Sequence, residues 1–473
     1  MSQFFTPAEE QFHTSSQYPI PQNWKGPTFK IRNDYPAKPD GITFSHDIWP
    51  TLPGPEISVI SPWLNIDFKE QPLEYAQTVL EYCWEGNTPA DFNVWDNKVR
   101  NWYHAPWMHA SANGREPLKG LTYERSIPPA EFASTQTHAL QNWAVGFYND
   151  PGAVTFGQAW ANPNAPVWNT DLKFHPGTCV FKLLLTTASD EQVPTMKGAP
   201  EWRAVISPQP NPAVAPSSGA ERNDFDSGVR LIQVDWAVVD HRSPIGWVFG
   251  TWMYNGYLTN VSDPWRRLTS VGVMWGSDPE LTQAAVNSGK KPEESWINPE
   301  AEKLRISLGG GRPSWGYNGR LNGPADNFVS ACTSCHATAQ SYAAPMVQDG
   351  KLVKVKRDNT EKFEWVPRNE KLTMTWFENV KAGESFSVRG ALSCDYSLQF
   401  LIGWNNYNTW LKTQKAQQKE SDPKKRVLLS LPGRRIVFKP QDPDTDEETV
   451  EKMLENITII EEPMRAGPPM KWV

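Results

Sequence analysis

Hydrophobic residues recur with helical spacing in three stretches of the chain. Apolar side chains at intervals of three and four residues after Pro72 predict a helix with one buried face, and proline suits its first position. A second helix is predicted over residues 129–148, ending near Gly146, and a third begins near Asp395. The apolar face of the third helix would carry Phe400, Trp404, Tyr407 and Leu411.

Between the second and third helices, the pattern changes to runs of β-branched and aromatic residues bounded by turn residues, which are typical of strands. Several such runs follow one another with no helix between them. This order favours an antiparallel sandwich or a curved sheet. The predicted strands cover residues 178–186, 202–207, 229–238, 246–254 and 270–275.

The length of 473 residues suits two or three domains with a large core. We expect an α+β fold. A mixed region of helix and loop over residues 1–150 would pack on a β-rich domain over 151–319. A smaller helical domain would span 320–418, and residues 419–473 would form a tail with a short strand and an acidic helix.

Cys332, Cys335 and His336 form a Cys-x-x-Cys-His motif, the attachment pattern of a c-type haem. On one helical turn, the two thiols can reach the two vinyl groups of one porphyrin and form thioethers. The histidine next in sequence then becomes the proximal ligand of the iron. We predict a helix across the motif that begins at Pro324 and ends before Pro345.

Two other kinds of site also use a Cys-x-x-Cys pair. A structural zinc site needs four ligands, usually as two close pairs, whereas Cys83, Cys179 and Cys394 are isolated in the sequence. A thioredoxin-like dithiol belongs on a βαβ unit, and the flanking residues do not have that pattern. One covalent haem c is therefore the preferred cofactor, with zinc and an inert or redox dithiol as alternatives.

The iron of a cytochrome haem commonly takes methionine as its sixth ligand. Met374 is the first candidate and Met346 the second, because both lie downstream of the motif near the haem helix. If the sixth position is open instead, His104 and His109 are candidates for acid–base groups. The alternative role for both methionines is packing in the core.

Residues 320–412 resemble a cytochrome c domain. They combine a haem-bearing helix, an irregular middle and an aromatic amphipathic helix. The helix that such a domain carries just before the motif is not expected here, because residues 309–323 are rich in glycine.

Three further stretches are similar to a family of large single-haem bacterial proteins. They are Asn322-Gly323-Pro324, Ala337-Thr338-Ala339-Gln340 and Gly246-Trp247-Val248-Phe249-Gly250-Thr251. The resemblance covers about residues 100–473. It implies haem attachment at Cys332, Cys335 and His336, and it implies no particular reaction.

The net charge and the N-terminal sequence limit which partners and which cell compartment we expect for the protein. The net charge of −7 makes nucleic acid an unexpected partner, and no run reaches the roughly 20 apolar residues of a membrane span. Residues 1–24 contain no Lys or Arg, so no cleavable signal is expected. Attached haem would place the protein in the periplasm or the mitochondrial intermembrane space, and a protein without haem would be cytoplasmic.

The sequence thus favours a haem-binding redox protein that transfers electrons to or from an unidentified partner protein or small molecule. The large N-terminal part suggests a second hypothesis, a haem enzyme such as a peroxidase or oxygenase with an open sixth position. A third is a β-rich binding protein without haem, which would explain the missing signal.

Overall fold

The structure of the protein is a computed structural model. The model describes residues 7–36, 61–111, 113–169, 172–206, 228–342, 347–348, 351–352, 374–385 and 391–420. Over these ranges the protein is α+β, with a large antiparallel sheet and a few helices. This confirms the predicted fold class. The C-terminal strand and acidic helix and the candidate ligand Met346 lie outside the described residues.

Eight strands form the large sheet. They are β1 (Thr122–Ile127), β2 (Leu140–Tyr148), β3 (Cys179–Thr186), β4 (Glu201–Arg203), β5 (Gly228–Val239), β6 (Trp247–Tyr254), β7 (Leu268–Met274) and β8 (Ser295–Ile297). Their order is β1-β2-β3-β5-β6-β7-β8, with β4 paired to the first residues of β5, and every pairing is antiparallel. Four of the five strands predicted from the sequence are confirmed as β3, β5, β6 and β7. The strand predicted over 202–207 corresponds to the shorter β4, which ends at Arg203.

The helix predicted over residues 129–148 is wrong, because the second half of that stretch forms β2. Every residue of β2 is buried, since both faces of the sheet are covered at this strand. A strand buried on both faces has no alternation of polar and apolar residues, so its sequence resembles that of a buried helix. Its pairing with β1 and β3 decides the outcome.

Seven helices occur in the described ranges. They are α1 (Pro7–Phe12), α2 (Pro72–Trp84), α3 (Asp150–Ala159), α4 (Gln283–Asn287), α5 (Pro299–Leu308), α6 (Cys332–Ala337) and α7 (Leu398–Glu420). The predicted helices at Pro72 and near Asp395 are confirmed as α2 and α7. None of the helices in this part of the chain is long and apolar enough to span a membrane.

The motif helix α6 is much shorter than predicted. It begins at Cys332 instead of Pro324, because the preceding residues form turns stabilised by their own polar groups. The Asn322 side chain donates to the Asn327 carbonyl at 2.7 Å, and the Asp326 backbone N–H donates to the Gly323 carbonyl at 3.1 Å. Such local bonds compete with a helix. After α6 the chain enters a short strand, β9 (Gln340–Tyr342), which ends the helix well before Pro345.

The two faces of the sheet pack into two separate cores. On one face, Phe147 and Phe181 stack and α2 covers the strands. On the other, Tyr148 and Phe249 belong to a core that also contains residues of α3, α6 and α7. We call these the first and the second face. Most of the described tryptophans are buried in the two cores. The motif helix lies on the second face.

Candidate functional site

One side of α6 fixes the helix to the protein, and the other side presents the two thiols. Thr333 and Ser334 are buried, and Thr333 Oγ1 accepts a hydrogen bond from Ser277 Oγ at 2.9 Å. Cys332 is half-buried and Cys335 is exposed. Since the other three cysteines of the chain are buried, the motif carries both cysteines that solvent reaches.

His336 is held in one orientation by the segment that follows strand β10 (Ala391–Ser393). Its Nδ1 lies 2.8 Å from the Tyr396 carbonyl oxygen, and its ring lies 5.1 Å from that of Phe249 on β6. A carbonyl only accepts hydrogen bonds, so Nδ1 carries the proton and Nε2 keeps its lone pair. A hydrogen bond of this kind orients histidines that ligate metals. Burial lowers the pKa of His336 to about 4, so the ring is neutral.

Asp395 fixes the backbone that carries the Tyr396 carbonyl. Its carboxylate accepts from Trp247 Nε1 at 3.1 Å, from the Gly383 N–H at 2.9 Å and from the Phe174 N–H at 2.7 Å. Asp395 and Tyr396 both have positive φ angles, +47° and +66°. Non-glycine residues adopt this conformation where the surrounding structure enforces it. The position of the acceptor for His336 is therefore set by the sheet and its neighbouring loops.

The centre of the second face is partly open beside the motif. Four side chains there are only half-buried, although they lie on the central strands β3 and β5: Val180, Lys182, Asp235 and Ala237. We call them the β3–β5 opening. Val180 pairs with Ala237, which pairs with Phe249 beneath His336. The opening therefore offers an apolar half next to the histidine and a charged half further along the strands.

The charged half acts on the motif electrostatically. Although Cys335 is exposed as a residue, the protein atoms around its sulfur partly desolvate the thiol and raise its pKa to about 11, with a further contribution from the charge of Asp326 in the turn before α6. The charge of Lys182 opposes that rise. Burial, followed by the charges of Asp235 and Asp326, raises the pKa of Cys332 well above its ordinary value. The fields of these charged groups thus reach both thiols.

The candidate sixth ligand Met374 is half-buried and packs against the same core as Cys332. The 3-10 turn that follows it, Thr375–Phe377, packs against α6. Met374 is thus near the motif helix in the fold as well as in the sequence. Its role as a ligand stays a prediction.

His104 lies on the opposite face of the sheet from His336, and His109 packs on Trp107 at the second core. The His104 ring packs on Phe147, which belongs to the first face, while His336 packs on the second. His109 stacks on Trp107, and its Nε2 lies 3.1 Å from the Gln11 side-chain oxygen. Burial lowers the pKa of both histidines. Both histidines are therefore packed within the protein as structural side chains.

The described residues do not bring a second set of metal ligands to the thiols. Among them, no group of three His, Cys, Asp or Glu side chains is placed to hold a metal ion. A closed zinc site needs four such ligands. A haem needs from this chain only the two thiols and one axial histidine, so the residues present fit a haem better than zinc.

The residues that support the motif were not identified from the sequence. Tyr396, Asp395 and the Lys182–Asp235 pair lie 59 or more residues from the motif, on elements that only folding brings together. Phe249 does fall in the stretch Gly246–Thr251, which carries the resemblance to single-haem proteins. Phe249 is therefore the one supporting residue that lies in a stretch already noted in the sequence.

No known protein family, curated protein or solved structure matches the chain.

Proposed function

We propose that this protein is a redox protein with one covalent haem c, attached to Cys332 and Cys335, ligated by His336 and used for electron transfer. The observation that carries this proposal is the 2.8 Å hydrogen bond between His336 Nδ1 and the Tyr396 carbonyl. It leaves Nε2 available for iron on the same short helix that presents two accessible thiols. When bound, the haem supplies one-electron chemistry at its iron.

The thiol environment supports haem attachment over a redox dithiol. Cysteines that work in thiol–disulfide exchange have a depressed pKa. Desolvation of the two sulfurs raises the pKa of Cys335 to about 11, although that residue is exposed, and also raises the pKa of the half-buried Cys332. Neither thiol is activated for exchange at neutral pH.

We propose that residues 320–418 form the haem-bearing segment and are similar to a cytochrome c domain. Helix α6 near its start and the aromatic helix α7 at its end support this. The segment is bonded to the sheet, since Tyr148 and Ser397 share a hydrogen bond of 2.8 Å between their hydroxyls. The surface that receives the haem is therefore shared between this segment and the second face. Attachment would take place in the periplasm or the mitochondrial intermembrane space.

Met374 is the proposed sixth ligand. It is supported by its half-buried position and by the packing of the adjacent turn on α6. Met374→Leu keeps the volume and removes the sulfur. The ferric haem of the loaded variant should be high spin where that of the wild type is low spin. Its reduction potential should be lower, and it should bind added cyanide. Met196→Leu, in the first core, is the matched control. Unchanged spectra in Met374→Leu would remove Met374 from the ligand set.

A haem enzyme with an open sixth position is the second candidate. The β3–β5 opening favours it, because Lys182 and Asp235 are polar groups within reach of solvent on the face that carries His336. Such groups are suited to acid–base work at a haem. If the ferric wild type is already high spin and binds azide rapidly, this candidate leads.

Covalent attachment tests the proposal most directly. The protein is expressed together with a haem-attachment system, and its absorption spectrum and its mass under denaturing conditions are measured. The proposal predicts a coloured protein that keeps the haem mass after denaturation. A Cys332→Ser, Cys335→Ser double variant should lose that mass, while Cys394→Ala should keep it. A colourless wild type of unmodified mass would reject the proposal in favour of a β-rich binding protein without haem.

A further inference from the structure

A connected set of charged and polar side chains lies in the charged half of the β3–β5 opening. Lys182 and Asp235 are directly opposite each other on neighbouring strands, with 3.5 Å between Lys182 Nζ and Asp235 Oδ2. Lys182 Nζ is also 3.8 Å from the Glu124 carboxylate on β1. The Gln233 amide donates to Asp235 at 2.7 Å and to Asp326 at 2.8 Å. We call these five residues the carboxylate cluster.

The carboxylate cluster holds three carboxyl groups against one ammonium group. Although burial opposes its charge, Glu124 and Asp235 raise the pKa of Lys182 above its ordinary value, so the ammonium stays charged. Within the cluster, one positive and three negative groups leave an excess of negative charge, which Arg312 and Arg125 offset at Asp326. A carboxyl group in this setting is the natural place for a proton, because protonation relieves the repulsion.

Asp235 is the member of the cluster that takes this proton. Burial raises its pKa to about 7, and the neighbouring charge of Asp326 adds to the rise. Asp326 behaves differently: although burial opposes its ionisation, Lys182, the Gln233 hydrogen bond and Arg312 lower its pKa below the ordinary value. The Glu124 side chain is 36% exposed, so solvent screens its charge.

The groups that face Asp235 come from every neighbouring element. Glu124 on β1, Lys182 on β3 and Asp326 in the turn before α6 supply charges. Gln233 on the same strand and Thr251, which is paired with Asp235 on β6, supply polar groups that lower its pKa. On α6, the charge of Asp235 raises the pKa of both motif thiols. The charges of Lys182 and Asp326 act on the pKa of His336. The cluster and the proposed haem site are therefore within electrostatic range of each other.

We propose that the carboxylate cluster couples proton uptake to electron uptake at the motif, with Asp235 as the proton acceptor. The inference rests on the proposed haem function and goes beyond it, because it makes the site proton-coupled. One electron enters from an external one-electron donor, and one proton passes from solvent to the Asp235 carboxylate. No other bond is made or broken, and the net charge of the site is unchanged.

The physical reason is reciprocity. An added electron near a carboxylate disfavours its charged form, so reduction raises the affinity of Asp235 for a proton. By linkage, a proton on Asp235 favours reduction by the same free energy. The reduction potential should therefore fall as pH rises through the range in which Asp235 titrates. Below and above that range, the potential should not depend on pH.

The test is the midpoint potential of the haem-loaded protein, measured by optical redox titration with dithionite between pH 5 and 9. The wild type should show a slope approaching one proton per electron in the middle of this range. Asp235→Asn should make the potential nearly independent of pH. Glu300→Gln, which changes an exposed carboxylate on α5, should keep the slope of the wild type.

A midpoint potential of the wild type that does not change with pH would overturn the inference while leaving haem attachment intact. This measurement uses the wild type alone, so it does not depend on whether a variant folds. A slope that persists in a folded Asp235→Asn protein would assign the proton to another group and also overturn it. A wild type that takes up no haem under these conditions overturns the proposed function and this inference together. Reduced-minus-oxidised infrared spectra add a direct readout, since the wild type should gain a protonated carboxyl band that Asp235→Asn lacks.

Discussion

The Nδ1 atom of His336 lies 2.8 Å from the carbonyl oxygen of Tyr396, a residue 60 positions further along the chain. Because the carbonyl accepts, this contact determines which ring nitrogen carries the proton. It leaves Nε2 as the atom that can bind iron, beside two thiols on the same helix. A short motif that many sequences could contain by accident thus has the second contact that a ligating histidine needs.

Replacing His336 tests the role of this contact. His336→Ala leaves both thiols in place, so covalent haem should still form. The spectrum should change sharply, because the proximal nitrogen is gone. His138→Ala, at an exposed histidine on the loop before β2, should leave the spectrum unchanged. A wild-type spectrum in His336→Ala would show that another residue is the proximal ligand.

The five thiols of the haem-free protein should differ in reactivity. Cys335 is exposed and Cys332 half-buried, whereas Cys83, Cys179 and Cys394 are buried. We expect alkylation of Cys335 first and Cys332 more slowly. The rate at Cys335 should still be rising at pH 9, since its pKa is raised to about 11. Peptide mass spectrometry after timed labelling measures this, with urea-unfolded protein as the control. Early labelling of Cys83 would contradict the packing described.

Arg320 should be among the costliest side chains to replace. It is fully buried and donates to four backbone carbonyls, and its guanidinium lies 4.3 Å from the centre of the Phe377 ring. The acceptors are Ser277, Asp278, Leu281 and Tyr317. Arg320→Met leaves these carbonyls without a donor, so the free energy of unfolding should fall by about 3 kcal/mol or more.

The matched control for this change is Arg266→Met, which breaks an ion pair with Glu81 at the surface. Surface pairs of this kind contribute about 0.5 kcal/mol. Urea denaturation of the two variants should therefore give clearly different midpoints. Equal losses of stability would mean that Arg320 is not the link between the loop at residues 277–281 and the chain before α6.

Gly272 and Gly146 lie in the same row across the second face but should tolerate a methyl group differently. A Cβ at Gly272 would overlap the Trp296 carbonyl oxygen, which belongs to the neighbouring strand β8 and cannot move alone. A Cβ at Gly146 would lie 2.6 Å from Nε2 of the flexible Gln399 side chain. Gly272→Ala should cost about 1–3 kcal/mol and Gly146→Ala less, as measured by thermal unfolding. The reverse order would contradict the register of β7 and β8.

The raised pKa of Asp235 makes stability depend on pH in a stated direction. Its pKa is about 7 in the folded protein, against an ordinary value of 3.8. Between these values the folded state binds more protons than the unfolded state, so the free energy of unfolding falls as pH rises. Asn does not titrate. The melting temperature of Asp235→Asn relative to wild type should therefore be higher at pH 8 than at pH 5. A difference independent of pH would mean that Asp235 is ionised throughout.

Much of the architecture could be predicted from local sequence patterns, and the errors have clear physical causes. The strands β3, β5, β6 and β7 and the helices α2 and α7 follow from their apolar spacing. The sequence of β2 resembles that of a helix, because burial on both faces removes its alternation. The motif helix was expected to begin at Pro324, but Asn322 and Asp326 form turns there instead.

Cys83 and Cys179 illustrate the same limit at the level of side chains. They are 96 residues apart in the sequence, where both look isolated, yet their sulfurs lie 3.6 Å apart between α2 and β3. No spacing rule relates the two positions. Their approach follows from the packing of α2 on the first face, which depends on the whole sheet.

The sequence by itself determined the chemistry of the motif, because two thiols and a histidine on one helical turn depend only on neighbouring residues. It also determined the strands and helices whose patterns are local. Only the tertiary structure decided that Tyr396 orients His336, that Phe249 lies beneath it, and that Lys182 and Asp235 face the same site. These residues lie on separate strands and loops, and their approach depends on strand order, register and burial, which no short stretch of sequence encodes.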